Sequence, residues 1–253
     1  MWPSFVINLA QNMTRLENSR RQMEALGIPW ARLDAVNGWA LSKEEIAEVY
    51  SVHLNRRYAR HPLVRPEIGC ALSHVEAWRR IAEGPEEGGF IFEDDFAAAP
   101  NLPRALKLLS TPQSRWDRVK LFSFNPAPRM VWKEPLCEGL SIGIPYRVPT
   151  CLTAYGLTKA GAARLLERAT PFFRPIDEQQ KFFWETGLRV ALVLPPPVQV
   201  GDQEAETGTI GSVRRADAAT RRSAGGRRPF HQLRYQLGYA LRLHFHRLTR
   251  HGR

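Results

Sequence analysis

The chain is short of lysine, of cysteine and of long apolar runs, and each shortage narrows what it can be. Only six of its 36 basic residues are lysine; the other 30 are arginine. Its three cysteines, Cys70, Cys137 and Cys151, are widely spaced and odd in number. They form neither a zinc-type spacing nor a disulfide framework, which suits a reducing, cytoplasmic setting. Apolar runs stop at strand length, so nothing reads as a membrane span. The N-terminus enters Phe5-Val6-Ile7-Asn8-Leu9 at once, without the basic and apolar regions of a secretory signal. Internal repeats and low-complexity blocks are missing. So is glycine between Asn8 and Arg15, where a sugar nucleotidyltransferase would be expected to carry a glycine-rich nucleotide loop.

The excess of basic over acidic residues is concentrated at the C-terminal end. From Arg214 to Arg253 there are eleven arginines against a single acid, Asp217, whereas the other 213 residues hold 25 basic and 24 acidic side chains. The net charge of +11 is therefore a property of the tail, on a body that is almost neutral.

With 43% apolar residues among 253, the chain can bury one good core. Strand patterns at 5–9, 28–33, 89–92, 119–124, 150–157 and 190–194 alternate with helical patterns at 15–26, 42–50, 66–82, 102–109, 159–168 and 176–185. That alternation predicts an α/β sandwich with a mostly parallel sheet over residues 1–200. Gly27 sits where a helix ends, and Ser42 with Glu45 forms a capping-box signature. Residues 201–229, rich in Gly, Ser, Thr, Ala and Arg, read as a flexible linker, and 230–253 as a helical tail.

Two segments carry chemistry. The apolar strand Gly89-Phe90-Ile91-Phe92 ends in Glu93-Asp94-Asp95. Two carboxylates about 4 Å apart repel by roughly 1 to 4 kcal/mol, depending on hydration. A divalent cation removes that penalty, and Mg²⁺ or Mn²⁺ takes carboxylate and phosphate oxygens. Open α/β sheets bind ligands at the carboxyl ends of their strands, which favours a metal site over an acidic turn in solvent. Strand alternation turns Asp94 away from Glu93 and Asp95. The second segment, Glu67-Ile68-Gly69-Cys70 with Ser73-His74, places Glu67 and His74 near one helix face. Taken alone, His74 reads more readily as a hydrogen-bonded core histidine. Gly69 inside a helix implies close approach by a neighbouring element.

These motifs, with Arg15, Ala35-Val36-Asn37-Gly38, Ala154 to Ala162 and Pro175-Ile176-Asp177, stand in the order seen in family 25 glycosyltransferases, and residues 4–200 resemble that family. Its members include lipopolysaccharide and lipooligosaccharide galactosyltransferases. Asn37 departs from the family's usual aspartate. The resemblance implies a GT-A-like, Rossmann-related sheet. It also implies inverting, metal-dependent transfer of a sugar, often galactose, from a UDP-sugar to a lipid-linked or oligosaccharide acceptor. Glu93 and Asp95 would hold Mn²⁺ or Mg²⁺. Asn8, Leu9, Arg15, Ala35, Val36, Asn37, Glu67, His74 and Asp94 would lie on the nucleotide side, with a plain surface arginine as the other reading of Arg15. Asp177, with Glu178 as fallback, would be the base, unless Asp177 is only a helix cap. Tyr155 and Trp184 would either stack on a sugar or belong to the core. Two rival readings are a sugar nucleotidyltransferase and a catalytically silent, membrane-held binding protein.

In the tail, Phe230, Leu233, Leu237, Leu241, Phe245 and Leu248 recur at helical spacing beside Arg234, Arg242 and Arg250. A basic amphipathic helix of this kind suits an anionic membrane surface. A helix docked on the body is the alternative, and nucleic acid ranks last because no nucleic-acid-binding motif accompanies the arginines.

Overall fold

The computed structural model describes residues 1–111, 115–201, 210–223 and 229–249, without the side chains of 218–223 and 229–231. β1 (Ser4–Asn8) leads through α1 (Met13–Ala25) to β2 (Trp30–Asp34), and Gly27, at φ +62°, turns the chain between them. Ser42 and Glu45 complete the capping box that opens α2 (Lys43–Val49), and α3 (Val52–Tyr58) follows directly. The long α4 (Arg65–Glu83) delivers the chain to the central β3 (Gly88–Glu93), short β4 (Phe96–Ala98) and α5 (Leu102–Leu109). Then come β5 (Arg118–Lys120), a hairpin of β6 (Met130–Cys137) and β7 (Leu140–Pro145), β8 (Ala154–Thr158) and α6 (Lys159–Leu166). Two single-turn helices, α7 (Ile176–Gln179) and α8 (Phe183–Thr186), replace the one helix expected over 176–185. β9 (Val190–Leu194) and β10 (Val198–Val200) precede α9 (Ile210–Ser223) and α10 (Pro229–Thr249).

Eight strands form one sheet in the order β2-β1-β3-β8-β5-β9-β7-β6, and β4 pairs with β10 apart from it. The pairings run six strands one way, with β8 and β7 against them. The α/β class and the predominantly parallel direction therefore hold, although the two reversed strands make several neighbouring pairs antiparallel. The hairpin was not anticipated. Its signals were Gly139, whose φ of +74° makes the turn, and Pro135, which only an edge strand such as β6 tolerates.

Strand alternation splits the core in two. Phe90 and Phe92 of β3 pack with Val6, Met23, Leu102 and Leu106 on one face, and Ile91 packs with Ile7, Ile68, Trp78 and Phe172 on the other. On the second face α4 meets the 35–38 loop at backbone distance. A side chain on Gly69 would lie 2.5 Å from the Val36 carbonyl oxygen, and one on Gly38 would collide with the Arg65 carbonyl. Ser73 locks the contact, accepting from the Val36 amide at 2.8 Å and donating to the Gly69 carbonyl at 2.8 Å.

The C-terminal part differs from a free linker and tail. α9 lies within the stretch read as a linker, and its Arg214 pairs with buried Glu67 at 2.5 Å. α10 docks on the body, but through a tyrosine and histidine face rather than the leucine row. Tyr239 and Leu243 are buried, His246 stacks on Trp184 at 5.4 Å, and the Tyr235 hydroxyl donates to Glu178 at 2.5 Å. No helix among the described residues is long and apolar enough to cross a membrane. The side chain of Phe230, and Arg250, lie outside the described residues.

Gly69→Ala forces helix and loop apart, and backbone cannot yield as a side chain does. We expect a loss of about 3 kcal/mol in urea unfolding, against little for Gly238→Ala, which meets open space.

Candidate active site

The parallel register of β1, β2 and β3 sets Ile7 beside Glu93 and Asn8 beside Asp34. The strand ends Asn8-Leu9, Ala35 to Asn37 and Glu93 to Asp95 therefore share one lip of the sheet. Asp94 turns inward there. Asn8 Nδ2 donates to it at 2.7 Å, Arg15 pairs with it at 3.2 Å, and the Ser19 hydroxyl donates to its carbonyl at 3.2 Å. Burial raises the Asp94 carboxyl, with Asn8 and Arg15 opposing the rise.

Glu93 and Asp95 make no ion pair with an arginine or lysine among the described residues, and the pull of Arg15 and Lys120 does not offset their burial. Burial, then Asp177 and Asp94, pushes Glu93 up to about 7. Burial, then Glu93, pushes Asp95 up to about 7 as well. Asp95 Oδ1 is buried without a hydrogen-bond partner among the described residues. Two close carboxylates and an orphaned oxygen suit a hard divalent cation, which takes oxygen donors.

Behind Glu93 runs a chain of hydrogen bonds. Trp78 Nε1–H donates to the Tyr155 hydroxyl at 2.8 Å, and that hydroxyl lies 2.9 Å from His74 Nδ1. His74 Nε2 lies 3.2 Å from Glu93 Oε1. Burial, then Arg118, depresses His74 to about 3, so the ring is neutral and carries one proton. An ionised Glu93 carboxylate can only accept, so Nε2 carries the ring proton and donates to Glu93, while Nδ1 accepts from the Tyr155 hydroxyl. Cys70, His74 and Glu93 bring their ligand atoms within 4.8 Å of one another. Burial and Glu93 hold the Cys70 thiol protonated, however, and His74 turns its N–H toward Glu93. The trio thus positions Glu93 more readily than it binds a soft metal.

Opposite stands Cys151, in the left-handed region at φ 72°, where few non-glycine residues sit. Its amide lies 3.4 Å from Asp177 Oδ2, and its carbonyl accepts from Lys120 Nζ. Lys120 is fully buried on β5, and burial, then Arg118, depresses it to about 7. Sequence reasoning missed both residues. The available signal was a lysine in a core strand of a chain that otherwise prefers arginine.

Several candidate residues are engaged elsewhere. Arg15 and Asn8 bind Asp94, and Glu67 caps α4 through the Val64 amide at 2.9 Å. Asn37 Oδ1 accepts from the Trp39 amide at 3.0 Å, a bond that aspartate would make equally. Glu178 bonds Tyr235 and Lys181, which outweigh burial and leave its carboxyl lowered. It faces the tail helix. Tyr155 is wholly buried and Trp184 lies under α10, so neither is offered to a sugar.

The chain belongs to glycosyltransferase family 25: the family model described as "Glycosyltransferase family 25 (LPS biosynthesis protein)" matches residues 1–138. "Inactive glycosyltransferase 25 family member 3" of Homo sapiens is 30% identical over 184 residues, covering 69% of this chain and 30% of that protein. "Procollagen galactosyltransferase 1-A" of Xenopus laevis is 32% identical over 124 residues, covering 46% of this chain and 20% of that protein. The chain thus spans under a third of the length of these relatives. Among solved structures, mannose-1-phosphate geranyltransferase from Thermus thermophilus is similar at a TM-score of 0.39 and 15% identity, over 78% of this chain and 75% of that one.

Tyr155→Phe leaves the buried Trp78 N–H without its acceptor and should cost about 1–3 kcal/mol in thermal or urea unfolding. Lys120 gives a pH signature. Its folded value of about 7 lies below the usual 10.5, so the unfolded chain binds the extra proton between those values. The penalty is full below pH 7 and fades as pH rises toward 10.5. Lys120→Met should therefore stabilise most at or below neutrality, with its advantage over the parent shrinking in alkali.

Proposed function

We propose that this chain transfers a hexose, galactose being the first candidate, from a UDP-sugar to a saccharide acceptor of lipopolysaccharide or another surface glycan, with inversion. The observation that carries this reading is the Glu93–Asp95 pair, half-buried at the lip of the sheet, with both carboxyls raised to about 7 and Asp95 Oδ1 lacking a hydrogen-bond partner among the described residues. Membership of the family and a galactosyltransferase among its relatives support the reaction class. Glu93 and Asp95 would hold Mn²⁺ or Mg²⁺, which on binding lowers the charge carried by departing UDP.

The chain's own residues divide the remaining work. His74, fixed by Tyr155 and Trp78, aims the Glu93 carboxylate. Arg15 and Asn8 hold Asp94 inward, so the other two acids keep their places. Asp177, whose Oδ1 accepts from the Glu178 amide at 2.7 Å, takes the proton of the acceptor hydroxyl. The acceptor oxygen then bonds the anomeric carbon as the bond to UDP breaks on the opposite face, which inverts the centre. Three free thiols accord with a cytoplasmic site of action.

A relative named inactive favours one second reading, a silent binding protein with the same lip. Release of UDP from a panel of UDP-sugars, with and without Mn²⁺, separates the two. Asp177→Asn should lower kcat by about 10²- to 10⁴-fold while donor still binds. Asp95→Asn should weaken metal-dependent donor binding. If no sugar nucleotide turns over and Asp95→Asn binds donor as the parent does, the enzyme reading fails.

A further inference from the structure

Docking of α10 leaves an apolar row unused. Leu233, Leu237, Leu241, Phe245 and Leu248 are each more than half exposed, Leu241 by 71%. At 1.5 Å per helical residue the row is about 22 Å long. Residues on the opposite side of the same helix, Tyr239 and Leu243, are buried, so the row is not a core face that missed its partner. A continuous apolar strip of this kind on a folded surface marks an interaction site.

Charge identifies the occupant. Arg234 and Arg242 are exposed on the same helix, and α3 adds Arg56 and Arg57 beside it. Arg234 reaches the Arg57 carbonyl at 3.5 Å, and Arg60 lies over the Tyr235 ring at 6.0 Å, so α3 and α10 form one surface. No aspartate or glutamate occurs between Tyr50 and Pro66, or from Pro229 to the last residue. We propose that this surface seats the protein on an anionic lipid bilayer, with the leucine row entering the headgroup–acyl boundary and the arginines meeting lipid phosphates. A second copy of the chain fits less well, because a two-fold contact through the row would bring like-charged arginines together.

This inference is independent of the transferase reading, and its test needs no substrate. The full chain is mixed with sedimentable vesicles of phosphatidylcholine alone, or of phosphatidylcholine and phosphatidylglycerol in equal parts. The parent should bind the anionic vesicles preferentially, and less as salt rises. Leu237→Glu with Leu241→Glu, at positions already in water, should keep the parent's circular dichroism and thermal midpoint but lose at least about tenfold in anionic-vesicle binding. A parent that ignores anionic vesicles, or a double variant that binds them equally well, overturns the proposal. So does a parent that is dimeric by light scattering, made monomeric by the double variant, and without affinity for vesicles.

Discussion

The inward turn of Asp94 is the constraint on which the site depends. One carboxylate of three is drawn beneath the lip, where Asn8 from the first strand and Arg15 from the first helix hold it. The same contacts join the end of the central strand to the start of the chain, so sheet edge and acidic site are built by one set of bonds. Were Asp94 free, three like charges would share the edge, and each would be harder to keep ionised.

The second face makes a complementary demand. Helix α4 presses on the loop after β2 so closely that neither Gly38 nor Gly69 has room for a side chain. That contact fixes where α4 starts and how it rolls, and therefore where His74 emerges toward Glu93. Two sequence motifs that look separate are one packed unit, and the histidine at the end of one serves the carboxylate of another.

Much of this was legible. Gly27, the Ser42–Glu45 box, the 102–109 helix and the 190–194 strand follow from local rules that the fold obeys. Gly69 announced a close approach, and Glu93-Asp94-Asp95 announced a crowd of like charges at a strand end. What stayed hidden depends on partners distant in sequence. The pairing of Arg15 with Asp94 and of Glu67 with Arg214 joins residues too far apart in sequence to be read from it. Cys151 and Lys120 gain meaning only when β5 and the loop before β8 meet. The tail's periodicity was read correctly as a helix, but periodicity ranks faces by apolarity. It could not foresee that aromatic stacking and a tyrosine–carboxylate bond would outcompete leucine for the docking side.

The four-residue helix α7 has too few internal hydrogen bonds to hold itself. Glu178, on its inner side, is gripped by Tyr235, and Phe182 and Trp184 just beyond it are roofed by Tyr239. The tail helix is therefore a support for the segment that carries Asp177. Cutting the chain before Pro229 would strip an aromatic floor bare and loosen the turn that carries Asp177. A shortened protein made for convenience would be stickier than the whole one, and poorer at holding its acid in place.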